Sequence, residues 1–207
     1  MWRCDDGRAL VTAAAMFNDL TSPAALIATR RSGKPRDMGV PGPTPEQLDR
    51  ILSAAIRVPD HGKLAPWRFV VVPDDQREAF AALLDRAYRA ERPDPGKVEL
   101  EAVRQFALQA PAVVIALSAP AHASHIPIWE QELSAGAACM NLLVATHAEG
   151  LVGGWLTGWA AYSKMVRDAF GGEGERIAGF IFIGTPTREL EERPRPERDA
   201  VISVWGG

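Results

Sequence analysis

The segment Arg57-Val58-Pro59-Asp60-His61-Gly62-Lys63-Leu64-Ala65-Pro66-Trp67 places four ionisable side chains in a loop stiffened by two prolines. Each proline fixes its own φ and restricts the residue before it, while Gly62 opens a conformation closed to other residues. A rigid loop rich in donors reads as a surface shaped for a ligand; the bland alternative is a proline-capped turn with solvated charges. Two further groups carry chemistry. Arg30-Arg31-Ser32 closes a helical stretch. Arginines there complement the helix dipole, and beside a serine hydroxyl they also match a phosphate, which a guanidinium grips with two parallel bonds. Gly153-Gly154 precedes Trp155-Leu156-Thr157-Gly158, so backbone there can approach a flat ligand. Sites for phosphate and a planar ring, with no nucleophile or acid–base pair, imply a cofactor that does the chemistry.

The other signatures are absent. No G-x-x-x-x-G-K-[ST] loop, no strand leading into G-x-G-x-x-G and no G-x-S-x-G elbow occurs. His122 and His125 lack a third ligand, so no metal site is expected. His147, beside Glu149, reads as a surface or interface residue, and Cys139 as a small buried hydrophobe. The 207 residues are 47% apolar and 24% charged, with 23 Lys plus Arg against 26 Asp plus Glu. That balance argues against a nucleic-acid footprint. Two cysteines, Cys4 and Cys139, make no disulfide framework and fit a reducing compartment. The run Ala9–Phe17 is too short and too acidic in its approach for a secretory signal, and no stretch suits a membrane span. A soluble cytoplasmic protein is expected, with residues 1–20 a weakly ordered extension and Met16 an alternative start to Met1.

These groups need elements to hold them. Ser22-Pro23 opens a helix expected over Ala24–Arg31, and 33–43 is a Gly/Pro connector. Thr44-Pro45-Glu46-Gln47 is a capping box before Leu48, Ile51, Leu52, Ala55 and Ile56 at helical spacing. Strands are expected at Phe69–Val72, Ala112–Leu117 and Ala178–Gly184, the last apolar without alternation and so buried on both faces. Helices are expected at Asp75–Glu91, Val98–Leu108 and Pro127–Glu149, the last small-residue-rich at Ser134–Ala138 and suited to close packing; Tyr162-Ser163-Lys164 begins another. The tail from Thr185 cannot build a core of its own, and its end, Val201-Ile202-Ser203-Val204-Trp205, is expected to pack on a partner subunit. The irregular alternation favours a single three-layer α+β domain over 21–207.

Arg30-Arg31-Ser32, the Arg57-to-Trp67 segment and Trp129-Glu130-Gln131-Glu132-x-Ser134-Ala135-Gly136 together resemble the flavin-dependent nitroreductase family, in its compact YdjA-like bacterial subgroup, from about residue 22 to Pro186. The resemblance implies an α+β fold with a central mixed sheet flanked by helices, in an intertwined homodimer that binds FMN at its interface. It also implies electron transfer from NADPH or NADH to nitro compounds, quinones or similar acceptors, by alternating hydride transfer at flavin N5. Carried over by position, Arg30, Arg31 and Ser32 hold the FMN phosphate and ribityl chain. Arg57 and His61 approach the flavin, often from the partner subunit, and Trp155, Leu156 and Thr157 lie along the ring. Ala145, Thr146, His147, Ala148, Glu149 and Gly150 match a stretch linked with the nicotinamide nucleotide. Arg193 and Arg195 are either extra phosphate contacts or solvated charges. Leu156 stands where some relatives carry a polar or basic residue, which bears on the flavin edge. A flavin carrier or sensor without turnover, and a flavin-fragmenting oxygenase, are the alternatives on the same fold.

Overall fold

A strand that is apolar on both sides must lie inside a sheet, and Arg176–Pro186, here β5, does so in the computed structural model, which describes residues 17–206. The elements before it are α1 (Pro23–Thr29), β1 (Met38–Gly39), α2 (Pro45–Ala55), β2 (Trp67–Val72), α3 (Arg77–Glu91), α4 (Lys97–Leu108) and β3 (Ala112–Ser118). Then come α5 (Ile128–Ala148), β4 (Val152–Leu156), α6 (Trp159–Tyr162) and α7 (Lys164–Phe170), with α8 (Arg198–Val201) after β5.

The sheet has the order β1-β5-β3-β2, with β4 also on β5. Residue pairs run Trp67↔Ser118 to Val72↔Val113 between β2 and β3, and Ala112↔Ile183 to Ser118↔Arg176 between β3 and β5, with a register shift at Ala116/Leu117. β4 pairs with β5 from Val152↔Gly184 to Leu156↔Phe180, and Gly39 meets Thr185. Every one of these ladders is antiparallel, which corrects the expected mixed sheet. The cause is connectivity. The α3–α4 hairpin returns the chain to the end of the sheet it left, reversing β3 against β2. The single helix α5 makes β4 run the same way as β3, but β5 inserts between them, so the two are never neighbours.

Alternation along the strands then fills two layers. Phe180, Phe182, Val113, Ile115 and Leu117 face Phe80 and Leu84 of α3 and Phe106 of α4. Ile181, Ile183, Val114 and Ala116 face Ile51 and Ala55 of α2 and Cys139, Leu142 and Leu143 of α5. The result is the expected three layers. The Thr44 hydroxyl accepts from the Gln47 amide while Gln47 Oε1 accepts from the Thr44 amide, the capping box read from the sequence.

Three local expectations change. The first helix stops at Thr29, with Arg30 already extended at φ −56°, ψ 130°, so Arg30-Arg31-Ser32 follows a helix and does not end one. Residues 17–20, expected in a loose extension, are fastened: Asn18 Oδ1 accepts from the Arg31 amide at 3.0 Å, and the Asp19 amide donates to Thr29 Oγ1 at 2.9 Å. Cys4, Met1, Met16 and the rest of that extension lie outside the described residues. Val152–Leu156 is a strand despite its glycine pair. In the tail, Val201, Ile202, Val204 and Trp205 stay exposed, with Trp205 at 90%. No helix among the described residues is long and apolar enough to cross a membrane.

Candidate functional site

The segment after α1 lies against β4. The Gly33 amide donates to the Gly153 carbonyl at 3.2 Å, and a Cβ on Gly154 would sit 2.7 Å from the Gly33 carbonyl oxygen. Glycine at 154 is therefore what allows the two backbones to meet. Ser32 and Lys34 from the extended stretch and Arg36 from the short 3-10 turn Pro35–Asp37 line a cleft of about 320 Å3 with Gly154, Trp155, Leu156 and the tail's Arg193. A smaller adjoining cleft, about 120 Å3, adds Arg188 and Glu191 to Ser32, Lys34, Arg36 and Arg193. Trp155 lies over Gly179, where any Cβ would collide with its ring, and its Nε1 donates to the Ala178 carbonyl at 3.0 Å. Leu156 packs on the aromatic core, whereas Thr157 is exposed at the strand end.

The charges are crowded. The Arg30 guanidinium donates to Ser32 Oγ at 3.2 Å. Burial, and then the positive charges of Arg195, Arg31 and Arg193, depress its affinity for its proton. Cations gathered in this way attract an anion that relieves their repulsion. Arg31 differs from the expectation in its placement. It is buried, donates to the Arg30 carbonyl at 2.8 Å and to Glu192, and its guanidinium lies 5.0 Å over the Phe17 ring. It ties the tail and the start of the chain to the site, while Arg30 faces the cleft's cations. Lys34 pairs with Glu191 at 3.0 Å. Lys34 and Arg36 are cleft-lining cations that sequence reasoning missed; Lys34 stands two residues after Ser32 on an extended stretch, whereas Arg36 comes from the Pro35–Asp37 turn, which no spacing from Ser32 announces.

The Arg57 loop is built separately. Gly62, Lys63 and Ala65 take φ of 79°, 54° and 47°, and strain of this sort in non-glycine residues persists only where surroundings enforce it. Here Asp60 enforces it, its two oxygens accepting from the Leu64 and Ala65 amides at 3.0 and 2.8 Å. Helix α5 adds three fastenings. Ser134 Oγ donates to the Pro59 carbonyl at 2.6 Å, Asn141 Nδ2 to the Ala54 and Arg57 carbonyls at 2.6 and 3.3 Å, and Glu130 Oε2 lies 2.7 Å from His61 Nδ1. Arg57, His61 and Lys63 are exposed, and neither cleft at Ser32 includes them. The expected site residues thus fall into two groups that one chain does not join in a shared cleft.

The stretch 145–150 is the end of α5. Thr146 and His147 are fully buried, which corrects the reading of His147 as a surface or interface residue. Thr146 Oγ1 donates to the Leu142 carbonyl at 2.9 Å. His147 Nδ1 lies 3.2 Å from the Leu151 carbonyl, which only accepts, so Nδ1 carries the proton. Burial, then the Arg30 charge, pushes the imidazole down to about 4, and its Nε2 has no hydrogen-bond partner among the described residues. Ala145 is half-buried; Ala148 and Gly150 are exposed, and Glu149 is bound by Arg50 at 2.7 Å. Burial pushes the Cys139 thiol up to about 12, so it is no nucleophile at neutral pH. No His, Cys, Asp or Glu grouping suited to a metal occurs among the described residues.

The donor set suits a phosphate-bearing planar cofactor. It offers cations, a hydroxyl, the bare backbone of Gly33 and Gly154, an indole and a leucine around one cleft. Residues 27–185 match the model of the nitroreductase family. YdjA of Escherichia coli K12, which carries a provisional NAD(P)H nitroreductase name, is 37% identical over 162 residues, 78% of this chain and 86% of that protein. A Haemophilus influenzae protein of the same provisional name is 37% identical over 173 residues, 82% of this chain and 91% of its own. Among solved structures, a nitroreductase-like protein from Bacillus cereus superposes with a TM-score of 0.76 at 21% identity, over 90% of this chain and 97% of that one. A mutant of the FMN- and NADPH-dependent nitroreductase NfnB, from a Sphigopyxis strain, gives 0.70 at 19% identity, over 89% and 99%.

Proposed function

This chain belongs to the nitroreductase family, and from that premise we propose that it is an FMN-dependent NAD(P)H oxidoreductase working as a homodimer, with nitro compounds, quinones or similar molecules as acceptors. The observation that carries this reading is the cluster of Arg30, Arg193 and Arg195 at Ser32, beside the bare backbone of Gly154 and the faces of Trp155 and Leu156. Arg30, Ser32, Lys34 and Arg193 hold the FMN phosphate and sugar chain, and Trp155, Leu156 and Thr157 border the ring. FMN supplies hydride acceptance and donation when bound. The chain's own task is to bind and orient it, and to place donors where the reduced ring accumulates negative charge.

The second copy completes the site. Arg57 and His61 stand on a loop held in a strained shape yet line neither cleft at Ser32. Beside that loop, α5 exposes Trp129, Leu133 and Met140 at i, i+4 and i+11, an apolar stripe that a partner subunit covers. The exposed tail residues Val204 and Trp205 fit the same arrangement.

The test is direct. Purified protein is expected to be yellow, to release FMN on denaturation, and to bleach anaerobically on titration with NADH or NADPH. Colourless protein that takes up no FMN refutes the reading; flavin that binds but is reduced by neither nucleotide favours a carrier or sensor instead.

A further inference from the structure

We infer that Glu130 is a positioning residue for His61: it holds the imidazole as the Nδ1–H tautomer, so that His61 meets the cofactor through Nε2. This deepens the flavin reading and rests on it. An ionised carboxylate can only accept a hydrogen bond. With Glu130 Oε2 at 2.7 Å, the ring proton must therefore sit on Nδ1, and Nε2 is the atom left to face outward. Which nitrogen of a histidine is protonated is set by the partner of the other, and a solvent-exposed imidazole without such a partner favours Nε2–H. Glu130 thus reverses the default, making neutral His61 an acceptor at its outer atom, and a donor there only on gaining a second proton.

Two observations beyond the pair support a dedicated arrangement. First, the loop carrying His61 is immobilised. Its left-handed residues Gly62, Lys63 and Ala65 are held by Asp60, and α5 grips it again through Ser134 and Asn141. Glu130, Ser134 and Asn141 follow at i, i+4 and i+11, one polar stripe of a single helix face. Second, that stripe runs one residue behind the exposed apolar stripe Trp129, Leu133 and Met140. The pair therefore borders the surface assigned to the second copy. The surrounding charges are few. Helix α5 offers Glu130, and its neighbour Glu132 is taken by Arg176 at 3.3 Å. The loop itself carries Arg57, Lys63 and Asp60, the last spent on two amides. Glu130 also suits the first turn of α5 through the helix dipole alone, and that purely structural role is what the test must separate.

Long-range proton–nitrogen NMR of the imidazole rings reads the tautomer in the FMN-loaded protein at neutral pH. The wild type is expected to show His61 Nδ1 as the protonated nitrogen and Nε2 as the bare one. In Glu130→Ala the assignment reverts to Nε2–H, and the FMN dissociation constant rises about tenfold, the upper end of what one hydrogen bond between neutral groups contributes. Glu130→Gln keeps an accepting oxygen, so it retains the wild-type tautomer and an FMN affinity within about twofold of it. A helix-dipole role predicts the reverse, loss in Gln as in Ala with no tautomer change, and that result overturns the inference. A wild-type spectrum with Nε2–H overturns it as well, and needs no variant to fold. Wild type that binds no FMN instead removes the flavin reading beneath, together with the contact through Nε2, while the tautomer of the apoprotein still shows whether Glu130 acts on His61.

Discussion

The buried imidazole of His147 makes the protein sensitive to mild acid, and replacing it should remove that sensitivity. Folding takes this ring from its ordinary value of 6.5 to about 4, so between those limits the unfolded chain binds a proton that the folded chain refuses. Stability therefore falls as pH drops through this window and is unaffected by His147 above it. A shift of that size, at about 1.4 kcal/mol per pH unit, amounts to about 3 kcal/mol once the window is crossed, of which about 2 kcal/mol is lost by about pH 5. His147→Gln keeps an amide that can donate to the Leu151 carbonyl but cannot take up a charge. Urea unfolding followed by tryptophan fluorescence, at about pH 7, 6 and 5, should show wild type losing about 2 kcal/mol more than the variant over that range. Comparing slopes removes the packing cost of the substitution itself. It also removes the carboxylates: Glu149, whose bond to Arg50 holds it below the usual range, loses its contribution at lower pH in both proteins alike. Parallel slopes for the two proteins between about pH 7 and 5 would refute the assignment of His147 as a buried neutral ring.

Other substitutions separate cradle from scaffold. Arg30→Ala should weaken FMN by about 1.5–3 kcal/mol, the range for hydrogen bonds to charged groups, and Lys34→Ala by a similar amount; equilibrium dialysis with flavin absorbance checks both, and unchanged affinity removes the residue from the site. Gly154→Ala pushes a methyl to 2.7 Å from the Gly33 carbonyl, whereas Gly153→Ala meets only the end of Leu143 at 2.8 Å. The first should therefore cost more FMN affinity than the second, read by the same dialysis. Arg77 is buried, its Nε donating to the Ala107 carbonyl at 2.6 Å and a second nitrogen to that of Gln109. Arg77→Met strands those α4 carbonyls and should lower stability by about 2–4 kcal/mol in urea melts, with FMN affinity per folded molecule preserved.

The helices were legible where local signals agreed. The Thr44 capping box and the Leu48, Ile51, Leu52, Ala55 spacing specify α2 without reference to anything distant. β4 was not legible, because Gly153 and Gly154 carry no strand preference; they are tolerated there since Leu143, Thr146 and the Gly33 carbonyl crowd the positions where side chains would stand. The direction of the strands was equally hidden, since it depends on β5 slipping between β3 and β4. Within the candidate site, Ser32, Trp155 and Leu156, singled out by residue type, line one cleft, and Arg30 adjoins it through its bond to Ser32. Arg31 was not separable from Arg30 by type: neighbours on an extended chain point opposite ways, and only Phe17 and Glu192 decide which one turns inward. His147 two residues before Glu149 looked solvated because both are polar, yet residues two apart on a helix face about 200° apart, so one is buried while the other reaches Arg50.

Among the described residues, the strand at the middle of the sheet comes last in chain order. β1, β3 and β4 all pair with β5, and until about residue 186 has emerged, β3 and β4 have no common neighbour and the edges they present to it are unpaired. A nascent chain of this protein can form α2 and the α3–α4 hairpin early, but its sheet closes only once β5 has emerged. Sheet assembly therefore waits on β5 and is slow in the manner of folds dominated by long-range pairing, and a chain stopped short of β5 should be aggregation-prone.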